Sequence, residues 1–155
     1  MLKNIIYILS FYLLFRLLKK GYDMTENQQL YLAKTLWGEA RGEGTKGMQA
    51  VANVVINRVQ KGGWYGASIK DVVLKPYQFS CWNSNDINRA QLDNLTVDDL
   101  IKSGAWDISE KAINNELQDI TGGAINYHAK SVNPSWAKSM TKTVQIGNHI
   151  FYKRG

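Results

Sequence analysis

Apolar residues recur at three- and four-residue steps through Leu30, Ala33, Trp37 and Ala40, and Leu32 and Leu36 widen the stripe. That spacing predicts a helix with one buried face. Thr25, with Gln28 three residues on, supplies a capping box for its start, and Gly38, Gly42 and Gly44 mark a flexible turn where it runs out. A second helix opens near Thr45, where Met48, Val51, Ala52, Val55, Ile56 and Val59 form a broad apolar face ended by Gly62-Gly63. Ser68 to Leu74 reads as a short helix stopped by Pro76, and Tyr77 to Ser80 as a loop or short strand. Asn83 to Asn94 is polar and rich in turn formers, Leu95 to Trp106 follows, and Ser109 to Leu117 predicts another helix. In the last third the period changes to two. Gly122-Gly123 leads into a strand over Ala124 to His128. Val144 to Ile146 and His149 to Tyr152 flank Gly147-Asn148 as a hairpin with a two-residue turn. The expected class is α+β, mainly helical, with a small antiparallel β-sheet.

At 155 residues the chain supports one domain, and 45% hydrophobic with 21% charged residues is an ordinary globular balance. Half of the net charge of +6 belongs to residues 1–23, where Lys3, Arg16, Lys19 and Lys20 face a single Asp23. The mildly basic remainder suits an anionic wall polymer, whereas no dense Lys/Arg cluster interleaved with aromatics points to nucleic acid. Ile5 to Leu18 is strongly apolar between basic residues. It resembles a secretion signal or anchor, giving possible membrane association through residues 5–18, though Arg16 interrupts it and it is short for a bilayer span. Lys19-Lys20-Gly21 is also encodable by a purine-rich, ribosome-binding-like stretch, which makes Met24 an alternative start and 24–155 the domain proper.

The candidate chemistry centres on Gly38-Glu39-Ala40-Arg41-Gly42-Glu43. Glu39 falls on the Leu32–Leu36 side of the first helix, so its carboxyl emerges beside apolar side chains, where loss of water disfavours the ionised form and suits a general acid. Glu43 lies in the following turn, either orienting the loop or solvated. Asn57 could brace the catalytic loop or face solvent. Strand alternation places Tyr127 and His128 on opposite faces. Tyr127 could bond a substrate, bond Glu39 or pack in the core, His128 could contact saccharide or be structural, and His149 is expected to be structural. Trp136 packs on the sheet or lines the cleft. Cys81 is the single cysteine, which excludes an internal disulfide. A Cys–His pair, or a zinc site from Cys81, His128 and His149, is conceivable, but neither spacing forms a compact ligand motif, so a small buried thiol is expected, with no metal and no cofactor.

Several stretches, in order, resemble the cell-wall hydrolase family typified by the spore cortex-lytic enzyme SleB. They are Trp37 to Glu43, Gln49 to Arg58, Tyr77-Gln78-Phe79-Ser80-Cys81, Tyr127-His128-Ala129 and Ile146 to Tyr152. The resemblance implies a lysozyme-like fold, peptidoglycan glycan strands as substrate and Glu39 as the essential acid. It places Gln78, Phe79 and Ser80 near the cleft, and Asn57 matches the family's Asn-Arg pair. With one clear carboxylate, it points to lytic transglycosylation, in which one glutamate acts first as acid and then as base, whereas ordinary glycosidases use two. Glu43, Asp71 and Asp86 are the remaining candidates for a second carboxylate. Rival classes are an amidase or peptidase acting on the stem peptides and a non-catalytic wall-binding module. A phage lysin released at lysis and a bacterial remodelling or germination enzyme both fit the setting.

Overall fold

Helix α1 runs unbroken from Leu2 to Ala40. The computed structural model describes the backbone of residues 2–155 and the side chains of residues 10–21 and 24–155. Thr25 is not the cap expected of it. It sits mid-helix with its Oγ1 donating to the Gly21 carbonyl at 3.0 Å, while Gln28 Oε1 accepts from the Lys70 amide at 2.8 Å instead of closing a capping box. No proline between residues 2 and 24 interrupts the helix. Every described residue from 10 to 27 is exposed, including Phe11, Leu14, Phe15 and Leu18, and burial begins only at residue 28. Among the described residues no helix is long and apolar enough to cross a membrane; residues 5–9 of the apolar stretch read as a signal or anchor lie outside the residues whose side chains are described.

The core forms where the stripe of α1 meets its neighbours. Leu32, Leu36 and Ala33 are fully buried against α2 (Gly44–Lys61), α3 (Ile69–Leu74) and α6 (Ala105–Ile113). Helix α2 ends where predicted, at Gly62 (φ +61°), whose amide caps the carbonyls of Arg58 and Val59. Ser68 caps α3 by accepting from the Asp71 amide. The polar, turn-rich stretch Asn83 to Asn94 ends in a short helix, α4 (Arg89–Asn94), anchored by buried Leu92. It is followed by α5 (Val97–Lys102), opened by a Thr96–Asp99 capping box. Helix α6 begins one turn earlier than the predicted Ser109 start. Ala105, Ile108 and Ala112 form its buried face, and Asn115, at φ +58°, ends the run before Leu117. Tyr77 to Ser80 forms a turn, not a strand, with Tyr77 at φ +63°.

Three antiparallel strands follow, β1 (Asn126–Ala129), β2 (Thr141–Ile146) and β3 (His149–Lys153), in the order β1-β3-β2. Ile146 pairs with His149 across the expected two-residue turn. Phe151 on β3 packs with Ala50 and Val54 of α2 and with Ala124, and Tyr127 packs against both this cluster and the helical core. The sheet is thereby fixed to the N-terminal half of α2, beside the end of α1.

Candidate active site

Glu39 occupies the last turn of α1, half-buried, and three donors converge on its carboxyl. Oε1 accepts from the Cys81 amide at 3.0 Å and from Ser80 Oγ at 3.3 Å, and Oε2 accepts from the Tyr127 hydroxyl at 2.7 Å. The setting is thus more polar than the apolar stripe foretells. Gly38 makes it possible. It is an interior residue of α1 and not a hinge, and a Cβ placed there would lie 2.5 Å from Cys81 Cβ and 2.9 Å from its Sγ. Only a glycine lets the 80–82 turn come close enough for its backbone to reach the carboxyl.

Both donor segments are held by helices. Trp82 Nε1 donates to Thr35 Oγ1 at 2.9 Å, and Arg89 Nη1 donates to the Trp82 carbonyl, pinning the turn to α1 and α4. The segment leading into β1 is zipped along one edge of α2. Gln49 Nε2 donates to the Gln118 carbonyl (2.9 Å), Asn53 Oδ1 accepts from the Ile120 amide (3.0 Å), and Asn57 Nδ2 donates to the Ala124 carbonyl (2.9 Å). These residues, spaced four apart, form a polar ridge matched to an extended chain. The ridge delivers Tyr127 to Glu39. Burial and the neighbouring Glu39 charge push the Tyr127 phenol well above its ordinary pKa, so it stays a neutral donor.

Glu43 has a different task. It lies in the 3-10 turn Arg41–Glu43 and clasps the hairpin, with Oε2 accepting from the Asn148 amide at 2.8 Å and Oε1 from Asn148 Nδ2 at 3.0 Å. The Asn148 amide and side chain hold its pKa below the ordinary glutamate value. Gly147 is required here, because it adopts φ +56° and a Cβ there would fall 2.0 Å from Glu43 Oε2. Asp71 serves the start of α3, taking the Ala67 amide, and Asp86 takes the Asn88 amide.

The family model described as Cell Wall Hydrolase matches residues 42–152, well over half of the chain. The chain belongs to the cell wall hydrolase family. The matched span opens just past Glu39. The chain is 30% identical over 132 residues to the spore cortex-lytic enzyme of Halalkalibacterium halodurans, covering 84% of this chain and 36% of that protein. It is also 30% identical over 134 residues to the spore cortex-lytic enzyme of Bacillus cereus, covering 86% and 46%. It therefore spans less than half the length of these curated relatives. The catalytic domain of the Bacillus cereus SleB protein superposes with TM-score 0.66 at 29% identity, covering 83% of this chain and 91% of that one. The catalytic domain of the germination-specific lytic transglycosylase SleB from Bacillus anthracis gives 0.65 at 29%, covering 82% and 94%. The lysozyme-like fold expected from the motifs is the fold observed.

Within this cell wall hydrolase domain the expected site residues separate. Ser80 and Tyr127 meet Glu39 directly, and Gln78 lies half-buried in the adjoining turn. Phe79, expected at the substrate, is a core residue with 1% exposure, because its ring turns inward while the Ser80 hydroxyl turns toward Glu39. His128, also expected there, faces the other side of the sheet. Its Nδ1 pairs with the Ala129 carbonyl and its Nε2 with the Tyr152 hydroxyl, and Trp136 packs edge-on against it. Asn57 is half-buried and braces the segment entering β1, donating to the Ala124 carbonyl at 2.9 Å and to Asp119 Oδ2 at 3.3 Å. His149 packs edge-on against Tyr127, and burial lowers its pKa. Cys81 is buried, and burial together with Glu39 pushes its thiol far above the ordinary range, which removes it as a nucleophile. Among the described residues no group of three or more His, Cys, Asp or Glu is placed to hold a metal. One residue at the site escapes individual notice in the sequence: Arg58, an arginine directly after Asn57, lies buried beneath it.

Proposed function

We propose that this domain cleaves the β-1,4 bond between N-acetylmuramic acid and N-acetylglucosamine in peptidoglycan as a lytic transglycosylase, leaving 1,6-anhydro-muramic ends. The observation that carries this is the division of labour between the two motif glutamates. Glu39 is presented by Tyr127, Ser80 and the Cys81 amide, whereas both oxygens of Glu43 are engaged by Asn148. Asp71 and Asp86 are likewise engaged by local backbone amides. Glu39 is thus the one carboxylate held by the residues of the site, while Glu43 is tied to the hairpin; a single carboxylate fits a reaction in which the same group serves twice, and fits poorly with one needing a separate base or nucleophile. The similarity to a catalytic domain named a lytic transglycosylase supports the same choice.

Glu39 first gives its proton to the glycosidic oxygen as the C1–O bond breaks. The resulting carboxylate then takes the proton of the muramic 6-hydroxyl, whose oxygen closes on C1, so no water is consumed. The donors fit both states. The Cys81 N–H can only donate, so it keeps Oε1 an acceptor and leaves the transferable proton to Oε2. There the Tyr127 hydroxyl can donate to the carboxylate or accept from the acid. The test is mass spectrometry of muropeptides released by the purified protein. Anhydro ends are expected, and E39Q should lower release by about 10²–10⁴-fold while remaining folded. Reducing muramic ends alone would establish a hydrolase, and a fully active E39Q would remove Glu39 from the chemistry.

A further inference from the structure

Arg58 has no part in the reaction as derived, yet it lies under the site. Only 5% of it is exposed. Its Nε donates to the Ile125 carbonyl at 2.7 Å, two residues before Tyr127 on the chain entering β1. Its guanidinium lies 5.1 Å from the Phe79 ring centre and 5.4 Å from that of Tyr65. Phe79 directly precedes the two residues that donate to Glu39 Oε1. A single side chain therefore touches both segments that carry the donors. Among the described residues it has no carboxylate partner within ion-pair distance, and its Nη1 is buried with no hydrogen-bond partner. Burying a cation in this way is unfavourable unless neighbouring groups benefit from it.

We infer that Arg58 is a positioning residue of the active site: its planar guanidinium sets the Phe79 turn against the strand entry at Ile125 and so aims the donors of both segments at Glu39. Desolvation lowers the pKa of Arg58, while Tyr127, Tyr65 and Glu39 oppose that fall. A fork that binds the Ile125 carbonyl while lying 5.1 Å from the Phe79 ring centre keeps Tyr127 and the 80–82 turn in register between the two proton transfers.

The inference rests on Glu39 being the general acid, so E39Q is assayed alongside. The experiment compares R58K and R58M with the wild-type protein on the same peptidoglycan, recording kcat and KM well below each variant's melting temperature. R58K keeps the charge but lacks the planar fork, and should lose at least about tenfold in kcat with KM little changed. R58M lacks both and should lose at least as much in kcat. A merely structural arginine would lower the melting temperature and leave the kcat of the folded protein in place. Wild-type kcat in R58K, or in folded R58M, overturns the inference, as does failure of both variants to fold. If R58M alone fails to fold, the kcat of R58K decides. An active E39Q would instead break the functional proposal on which this one stands.

Discussion

Replacing Gly38 with alanine separates two physical expectations of opposite sign. Helix propensity alone predicts that G38A, inside α1, gains about 1 kcal/mol. The tertiary contact predicts the reverse, because the new Cβ would lie 2.5 Å from Cys81 Cβ. Restoring ordinary van der Waals separation moves the 80–82 turn by about 1 Å. The Cys81 N–Oε1 distance, now 3.0 Å, would then stretch beyond hydrogen-bond reach. Overpacking costs about 1–3 kcal/mol, and the lost bond to a charged acceptor about 1.5–3 kcal/mol. After the propensity gain, a net destabilisation of about 1.5–5 kcal/mol remains. Urea denaturation measures that loss, and release of soluble muropeptides measures the accompanying fall in activity. C81A keeps its Cβ and should not relieve the clash, whereas C81G should, so G38A/C81G is expected to be more stable than the two single changes sum to. A G38A protein as stable and as active as wild type would refute the account of how the turn reaches Glu39.

Two further outcomes are expected. Y127F deletes the 2.7 Å bond to Glu39 Oε2 with little change of shape. At about 1.5–3 kcal/mol for a bond to a charged group, kcat should fall roughly 10–150-fold, read from initial rates of glycan release. E43Q sets an amide donor against the Asn148 donors. Because the folded-state pKa of Glu43 lies below its ordinary value, its contribution is present above that ordinary value and fades as pH falls through the folded pKa. The stability gap between wild type and E43Q should thus be open at neutral pH and close in acid. A gap that is constant with pH in denaturation curves would argue against the clasp.

Glu39, its helix and the opposed faces of Tyr127 and His128 are legible in the sequence, because each depends on a local period or a short motif. What meets at the carboxyl is not, since its donors come from residues 41, 42 and 88 positions away. Phe79 illustrates the limit: a motif names the segment, but only packing decides which of its side chains turns inward. The α6 boundary is missed for a related reason. Trp106 closes one apolar run and lies inside the next, so the period cannot say where the helix starts. Gly38 and Gly147 read as hinge and turn, yet each also marks a place where another chain atom approaches within the space of a Cβ. These two glycines explain why two glutamates so close in sequence have separate tasks. Gly38 lets a turn close on Glu39 while leaving its carboxyl half-exposed. Gly147 lets Asn148 take both oxygens of Glu43. A mechanism that relies on one carboxylate follows from that separation, because the second is already committed to holding the hairpin in place.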